Sequence, residues 1–510
     1  MMKRRFSIIV FAAIFTSLLA LSCKKENEGQ EVPTVKLSVN ELSVEFKSEG
    51  GEKTVDFTAA AKPNLVKNAD WIEASASFSG TSGKITIKAT ACKSTTERSA
   101  TLSVICGSEK QVVNIRQEAY AESVPEPDEP VNNETAAWAR SLGLGWNLGN
   151  QLDAHINGVS SETCWGNKEA TQATMDGVKK AGFGTVRIPV TWMGHIGEAP
   201  DYTIEKEWLD RVAEVVGYAE KARLKAIVNI HHDGADSNYW LDIKNAANNS
   251  AKQTEILAEI TAVWSQIAER LDGYGDFLMF EAFNEIHDGG WGWGDNRNDG
   301  GRQYRTLEQW NQAFVDAVRA TGGNNATRML SVPGYCADPE MTMDNLNLPE
   351  DSVEGKIAVA VHFYAPIDYT LNNKYTEWGH TGSAGNKVPG NMDEEYLRGI
   401  FNRLNTKYVA NGIPCYIGEF GCANRSGDRA KDFQQYYLEY VCKAANTYGL
   451  APVLWDNGST GEGKECDGYI DHGTGEIINS TGRFISAMVK GATSTDSKYT
   501  LESVYNNAPR

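Results

Sequence analysis

Two apolar periodicities divide the chain. From Val35 to Gln117, apolar and polar residues alternate in short runs split by Gly, Ser and Asn: Leu37-Ser-Val39, Val44-Glu-Phe46, Lys84-Ile-Thr-Ile-Lys88, Thr101-Leu-Ser-Val104 and Val113-Asn-Ile115. A period of two buries one face of each run and wets the other, which predicts an antiparallel β-sandwich over residues 35–118. From Glu134 onward, apolar strands alternate with helical segments. The candidate strands are Gly143 to Leu148, Thr185 to Val190, Ala226 to Ile230, Phe277 to Phe283, Met329 to Val332, Ile357 to Phe363, Pro414 to Phe420 and Pro452 to Asp456. Between them, Trp208 to Ala222 carries Leu209, Val212, Val216 and Ala219 on one helical face; Thr254 to Leu271 and Glu395 to Val409 are patterned likewise. Eight strand-helix units over residues 134–510 predict an α/β fold, a (β/α)8 TIM barrel with long loops. A doubly wound open sheet is the alternative, but no GxGxxG or P-loop follows the first strand.

The remaining segments follow neither period. Lys3, Arg4 and Arg5 precede an apolar run from Ile8 to Leu21 and then Ser22-Cys23, so residues 1–22 read as an export signal. A small residue before a cysteine at that point resembles a bacterial lipobox, which makes Cys23 the expected lipidation site and residues 23–34 a polar tether. Ala20 stands where leucine is commoner, and plain secretion with Cys23 incidental is the alternative. No second apolar run reaches the roughly 18 residues of a membrane span. Residues 119–133 (AYAESVPEPDEPVNN) combine three prolines with acidic residues and read as a semi-extended linker.

Composition narrows the partners. A net charge of −18 argues against nucleic acid, whose binding needs clustered Lys and Arg. Thirteen Trp and twenty Tyr are many for one chain, and flat rings stack on sugar faces as well as filling cores. Without Cys23, eight cysteines remain, with 105 possible pairings; no CxxC is present, and they are read mainly as small buried residues.

Barrel active sites lie at the C-terminal ends of the strands. Here those ends carry Asn147-Leu-Gly-Asn150, Arg187-Ile-Pro189, His231-His232-Asp233, Asn284-Glu285, His362-Phe-Tyr364, Gly418-Glu419-Phe-Gly421 and Trp455-Asp456-Asn457. Apart from the acids, these are hydrogen-bonding and stacking types, as a hydroxyl-rich ligand needs. Glycoside hydrolysis requires one carboxylic acid for the leaving oxygen and one carboxylate toward the anomeric carbon. Glu285 and Glu419, on strands four and seven, lie on opposite sides of the mouth and could approach the retaining separation of about 5 to 5.5 Å.

The motifs GWNLGN (145–150), RIPV (187–190), NIHHDG (229–234), FNEIHDG (283–289), HFY (362–364), GEFG (418–421) and LWDNG (454–458) fall in register on seven strands. Together they resemble glycoside hydrolase family 5 from about Leu142 to Val489. The spelling of GWNLGN, ETCWGN (162–167) and HFY is similar to subfamily 4, endo-β-1,4-glucanases of cellulose-like, mixed-linkage and xyloglucan chains. The resemblance implies Glu285 as acid/base and Glu419 as nucleophile. It puts Arg187 and Tyr364 beside Glu419, Asn284 on the sugar 2-hydroxyl, His231 and His362 against sugar and carboxylates, and Trp455 under the reacting ring. Asn150 and His232 join the substrate-binding set. NEIHD stands where many relatives have NEP, which leaves the leaving-group side open. Within residues 35–118, Ala69-Asp-Trp71-Ile72, Thr95-Thr96 with Arg98, and Val113-Asn-Ile-Arg-Gln117 resemble a BACON domain, an immunoglobulin-like module. A lone Trp71 beside Ile72 favours a core role over a sugar platform, and the module is expected to act as a spacer.

Structural alternatives accompany these readings. Arg187 could be a barrel ion pair, Trp455 could be core, and Trp165, Trp291 and Trp293 could pack loops or carry sugar. His231-His232-Asp233 could bind metal but lacks a third ligand at zinc spacing. The expectation is therefore a monomeric, exported retaining endo-β-1,4-glucanase, with no cofactor and no metal, held to the outer membrane only by an N-terminal lipid. An endo-β-mannanase, a non-catalytic glycan-binding surface protein and a barrel metalloenzyme are the rivals.

Overall fold

The computed structural model describes residues 35–92, 97–118, 130–234, 239–478 and 480–510. The expected export signal, Cys23, the tether, Thr95-Thr96 and most of the linker lie outside those residues. The described chain forms two compact units, one on each side of the linker.

Residues 35–118 hold eight strands: β1 (Ser38–Val39), β2 (Ser43–Phe46), β3 (Gly51–Thr58), β4 (Asn64–Lys67), β5 (Ile72–Ser79), β6 (Ser82–Ala89), β7 (Arg98–Cys106) and β8 (Glu109–Gln117). They make two four-stranded sheets, ordered β1-β3-β6-β5 and β2-β8-β7-β4. The period-two faces meet as expected, with Val44, Phe46, Val55, Phe57, Ile85, Ile87, Leu102, Val104, Val113 and Ile115 in one core. One pair departs from the antiparallel expectation: β2 runs parallel to β8, Val44 opposite Ile115. The cause is local, because the chain changes sheets in the few residues between β1 and β2. Trp71 is half-buried against this core, with the Arg98 guanidinium 4.5 Å from its ring centroid.

In residues 130–510, β9 (Gly145–Asn147), β12 (Thr185–Ile188), β13 (Lys225–Asn229), β14 (Leu278–Glu281), β15 (Leu330–Pro333), β16 (Ile357–Phe363), β17 (Cys415–Phe420) and β18 (Ala451–Leu454) form a closed parallel barrel. β18 pairs with β9 through Val453 and Gly145 to close it. A hairpin of β10 (His155–Ile156) and β11 (Val159–Ser160) follows β9. Each strand lies within two residues of its sequence expectation. The helix Lys206–Lys221 buries Val212, Val216 and Ala219 on the expected face. Cys415, Cys422 and Cys442 are free and buried. Among the described residues, no helix is long and apolar enough to cross a membrane.

The lower barrel interior is filled by Ile227, Met279, Ala358, Ala360, Tyr416, Ala451 and Val453. Because inward positions alternate, Asn229, Glu281 and His362 follow on the same faces one step nearer the mouth. β17 breaks this rule. Val361 pairs with Ile417 but His362 pairs with Glu419, so Gly418 is an extra residue in the strand. That bulge turns Glu419 to the interior face that Tyr416 already occupies, although the two stand three positions apart.

Candidate active site

Arg187, fully buried at the end of β12, organises the mouth. Its Nε and Nη2 donate to the Glu281 carboxylate, with Nη2 to Oε1 at 2.6 Å. Nη1 donates to Asn147 Oδ1 (2.9 Å) and Glu419 Oε1 (2.8 Å), and Nη2 also to Asn284 Oδ1 (2.8 Å). Burial opposes the guanidinium charge, but Glu281 and Glu419 outweigh it and keep the group charged. The two readings of Arg187 are thus both realised: it is a barrel ion pair and a neighbour of Glu419.

Sequence reasoning missed Glu281. Besides Arg187 it accepts from Asn229 Nδ2 (3.0 Å) and from Tyr416 Oη, which also meets Ser331. Burial would raise its pKa, yet Arg187 and Tyr416 hold it below the ordinary range, so the ion pair is permanent near neutrality. A carboxylate inside an otherwise apolar strand, four residues before Glu285, was the available signal.

Glu419 accepts from Arg187 and from Tyr364 Oη at 2.9 Å. Glu285 meets His362, whose Nδ1 lies 2.5 Å from Glu285 Oε1 and 3.6 Å from Glu419 Oε2. One oxygen of each glutamate and the His362 nitrogen fall within 4.8 Å of one another. Burial pushes Glu419 up against the pull of His362 and Arg187, whereas His362 outweighs burial at Glu285 and brings it down. Burial disfavours charge on His362, but Glu419 and Glu285 raise its pKa. One proton is therefore held in the short His362–Glu285 contact, on nitrogen or on oxygen, beside a Glu419 anchored by two donors.

His231 lies over the same site. Its ring stacks on Trp455 at 5.9 Å and 9°, and Nε2 is 4.0 Å from Glu419 Oε1. Burial, His232 and Arg187 lower its pKa, so it is neutral near pH 7. Trp455 is half-buried, its indole over Gly149; a Cβ there would come within 2.8 Å of the ring, which explains the second glycine of GWNLGN. His232 is one ring further out, Nδ1 to Asp153 O at 3.0 Å, among His155 and Trp165. Asn150 sits in a left-handed turn (φ 55°) with its N–H on Asp153 Oδ2. Asn147, not Asn150, is the GWNLGN asparagine that meets Arg187, its Nδ2 donating to Gly418 O.

The Asp233 carboxylate hydrogen-bonds away from the histidines: it accepts from Trp192 N, Met193 N and Trp240 Nε1. Two other groups have ligand-like spacing, Asp153–His231–His232 and Glu285–His362–Glu419. In the first, Asp153 already accepts the N–H groups of Asn150 and Gln151; in the second, the Arg187 cation occupies Glu419. Both arrangements compete with a metal ion.

Comparison with known proteins supplies the lineage of this geometry. The family model described as "Cellulase (glycosyl hydrolase family 5)" matches residues 150–461. The chain belongs to glycoside hydrolase family 5. Within that family it is similar to a "GH5-4 broad specificity endoglucanase" from Bacteroides salanitronis, with 55% identity and a TM-score of 0.70 over 73% of this chain and 99% of that one. A Bacteroidetes-affiliated GH5 cellulase linked with a polysaccharide utilization locus shares 48% identity, with a TM-score of 0.73 over 75% and 99% of the two chains. A xyloglucan-specific endo-beta-1,4-glucanase of Bacteroides ovatus is 29% identical over 512 residues, spanning 95% of this chain and 96% of its own. Residues 58–118 match the BACON family, described as a putative binding domain.

Proposed function

We propose that this family 5 enzyme is a retaining endo-β-1,4-glucanase of plant β-glucans, with Glu285 as acid/base and Glu419 as nucleophile. The observation that carries the reading is the spacing of the two carboxylates, within 4.8 Å oxygen to oxygen. An inverting pair needs about 6.5 to 9.5 Å to admit a water molecule.

In the first step a Glu419 oxygen attacks the anomeric carbon, and the glycosidic C–O bond breaks with its electron pair leaving on the oxygen. Glu285 supplies the proton that oxygen takes up, drawn from the proton shared with His362. In the second step Glu285 removes a proton from water, the water oxygen replaces Glu419 at carbon, and the β configuration returns. Arg187 and Tyr364 keep Glu419 ionised and oriented. Asn284, its Oδ1 taken by Arg187, presents its amide N–H groups to the sugar 2-hydroxyl. Trp455 with neutral His231 forms the floor under the reacting ring, and Asn150 and His232 line the glycone side.

Cellulose-type, mixed-linkage and xyloglucan chains form the substrate class, a reading supported by the broad-specificity and xyloglucan-specific relatives. We place catalysis in residues 134–510, with residues 1–22 a lipoprotein signal, Cys23 its lipid attachment, 23–34 a tether, 35–118 a spacer and 119–133 a linker. The enzyme acts outside the cell as a monomer on the outer membrane; kinship with an enzyme linked to a polysaccharide utilization locus supports export.

The glutamate roles are tested with an aryl glycoside whose leaving group departs unaided. Glu285→Ala should abolish polymer cleavage, accumulate the glycosyl-enzyme and turn over again with azide, giving the β-azide. Glu419→Ala should show no burst and give, with azide, the α-azide. Opposite anomers mean swapped roles, and wild-type polymer cleavage by either variant sinks the assignment.

A further inference from the structure

The barrel closes where β18 meets β9, and the ladder between them ends with Leu454 opposite Trp146. Trp455 and Asp456 continue the chain beyond β18, as Gly149 and Gln151 do beyond β9. The Trp455 indole lies over Gly149, so the floor of the mouth rests on a seam beyond the last ladder pair. Gly149 N still donates to Asp456 O at 3.0 Å, and Asn167 Nδ2 bridges Asn150 O (2.9 Å) and Asn457 O (3.1 Å). A further connection uses a side chain to which the mechanism gives no part. His472 is buried in the segment between β18 and the helix Gly482–Thr493.

Its ring stands between two acceptors. Nδ1 lies 3.0 Å from Gln151 Oε1, and Nε2 lies 3.3 Å from Asp456 Oδ1. The orientation of the Gln151 amide is fixed from its other end, because Nε2 gives its two hydrogens to Glu162 Oε1 (2.8 Å) and Lys168 O (2.7 Å). Turning the amide over would face its oxygen toward both of those acceptors. Glu162 is in turn bidentate with Arg211, through Nε at 2.8 Å and Nη2 at 2.9 Å. Asp456 accepts from Trp146 Nε1 (2.7 Å), Gly458 N (3.0 Å), Tyr469 N (3.1 Å) and Ile470 N (2.9 Å). Four N–H donors favour the carboxylate, so the proton between Asp456 and His472 sits on nitrogen. A neutral imidazole would then set a bare lone pair against one of its two acceptors. Both ring nitrogens therefore carry hydrogen, and His472 is the cation that balances Asp456 in the interior.

The other titratable groups around His472 leave that balance intact. Asp467, beside Asp456, is pushed up to about 8 by burial and then by Asp456, so it is uncharged near neutrality. The Asp471 carboxylate turns to Gly473 N and Thr474 N, with Lys168 near it. Glu162 faces His472 only across Gln151 and is matched by Arg211. The ring also meets Trp146 edge-on at 5.0 Å, and the His472 carbonyl accepts from Thr174 Oγ1 at 2.5 Å, so the residue is held from both ends. A continuous chain of contacts thus runs Arg211–Glu162–Gln151–His472–Asp456, from the helix Lys206–Lys221 to the residue that follows Trp455.

We propose that His472 is a positioning residue for the reaction: as an imidazolium it clamps Asp456 to Gln151 and so holds Trp455 over Gly149, beneath the reacting ring. This rests on Trp455 as the floor of the site. His472 itself touches no substrate, and its effect passes through the peptide that joins Trp455 to Asp456. Without the cation, Asp456 is a buried carboxylate lacking a counter-charge, and the seam relaxes to hydrate it. A floor displaced by about 1 Å is enough to slow the chemistry severalfold or more.

The test is a double-mutant cycle in the full chain on an aryl β-cellobioside, whose sugar rests on the floor while its leaving group departs unaided. His472→Gln, which has no charge, should lower kcat/KM about tenfold. In a Trp455→Ala background the same change should cost less than about twofold, because no indole remains to be misplaced. A merely structural role would lower Tm in both backgrounds and reduce kcat/KM by the same factor in each. Wild-type kinetics in Trp455→Ala would overturn the floor and this assignment with it. An impaired Trp455→Ala in which His472→Gln keeps its full effect would overturn the role of His472 alone, as would an unchanged kcat/KM in His472→Gln. Should His472→Gln fail to fold, Gln151→Ala cuts the clamp from its other side and the same cycle decides. Nitrogen NMR of the histidine-labelled wild type at pH 7 adds a signature that no stability effect produces. Both ring nitrogens of His472, recognised by the signals that vanish in His472→Gln or move in Gln151→Ala, should carry hydrogen; one bare nitrogen there would overturn the clamp.

Discussion

The interiors of the two units are built by opposite rules. The sandwich core is apolar, and the one buried polar side chain among its described residues is Gln117. That amide is fully used, Nε2 donating to the carbonyls of Lys47, Ser48 and Thr90 and Oε1 accepting from Arg98. The barrel interior, by contrast, buries Arg187, Glu281, Glu419, Asn147 and Asn229 where well-packed aliphatic side chains would fill the same space. Removing charges from water costs several kcal/mol per ion, and the ion pair offsets this only with complete hydrogen bonding. The sandwich core avoids that cost. The upper barrel bears it, and its buried charge coincides with the proposed catalytic site.

The contrast is sharpened first by removing one buried charge without changing shape. Glu281→Gln keeps the volume but leaves Arg187 less balanced, so Arg187 pairs more strongly with Glu419 and lowers its proton affinity. We expect kcat/KM on soluble glucan to fall about a hundredfold, the cost that a misplacement of about 1 Å can carry, with the acid limb of the pH profile moved to lower pH. A melting-point loss with an unmoved pH profile would reduce Glu281 to a structural ion pair.

A smaller effect is expected at Asp467, buried between Asn457 and the Gly421 turn, with Oδ1 lacking a hydrogen-bond partner. Burial first, and then Asp456, push its pKa from the ordinary 3.8 up to about 8. The folded form therefore holds the proton more tightly than the unfolded chain, so its contribution to stability is full below about pH 4 and is lost as pH rises through about 8. Asp467→Asn should flatten that decline, making the loss of Tm between pH 5 and pH 8.5 about a few degrees smaller than in the wild type by calorimetry. Parallel Tm curves would mean the carboxyl finds a partner on ionising.

The smallest effect is expected from deleting the apolar-cored unit altogether. A chain of residues 134–510 should retain its turnover on soluble glucan, because every side chain of the site comes from that unit. A loss beyond about tenfold, or about 1.4 kcal/mol of transition-state stabilisation, would give the sandwich a part in catalysis and end the division of labour.

Much of this was legible along the chain. The eight barrel strands are short apolar runs with turn-forming flanks, and their ends carry the polar motifs, so local pattern alone located Glu285, Glu419 and Arg187 at one mouth. The sandwich strands with clean alternation were equally plain, whereas the sheet change between β1 and β2 that makes β2 parallel to β8 has no local signal.

What the sequence determined by itself was the periodicity of each element and the residue type at each strand end, because both are encoded within a few neighbouring positions. Tertiary structure decided which of those residues meet. Arg187 finds Glu281 and Glu419 across 94 and 232 residues of chain, and only the closed barrel with its staggered strands brings them within hydrogen-bonding distance. The same closure selects Asn147 over Asn150, and the bulge at Gly418 turns Glu419 inward against the period of its own strand. Such contacts depend on register between neighbouring strands, a property of pairs that no single stretch of sequence contains.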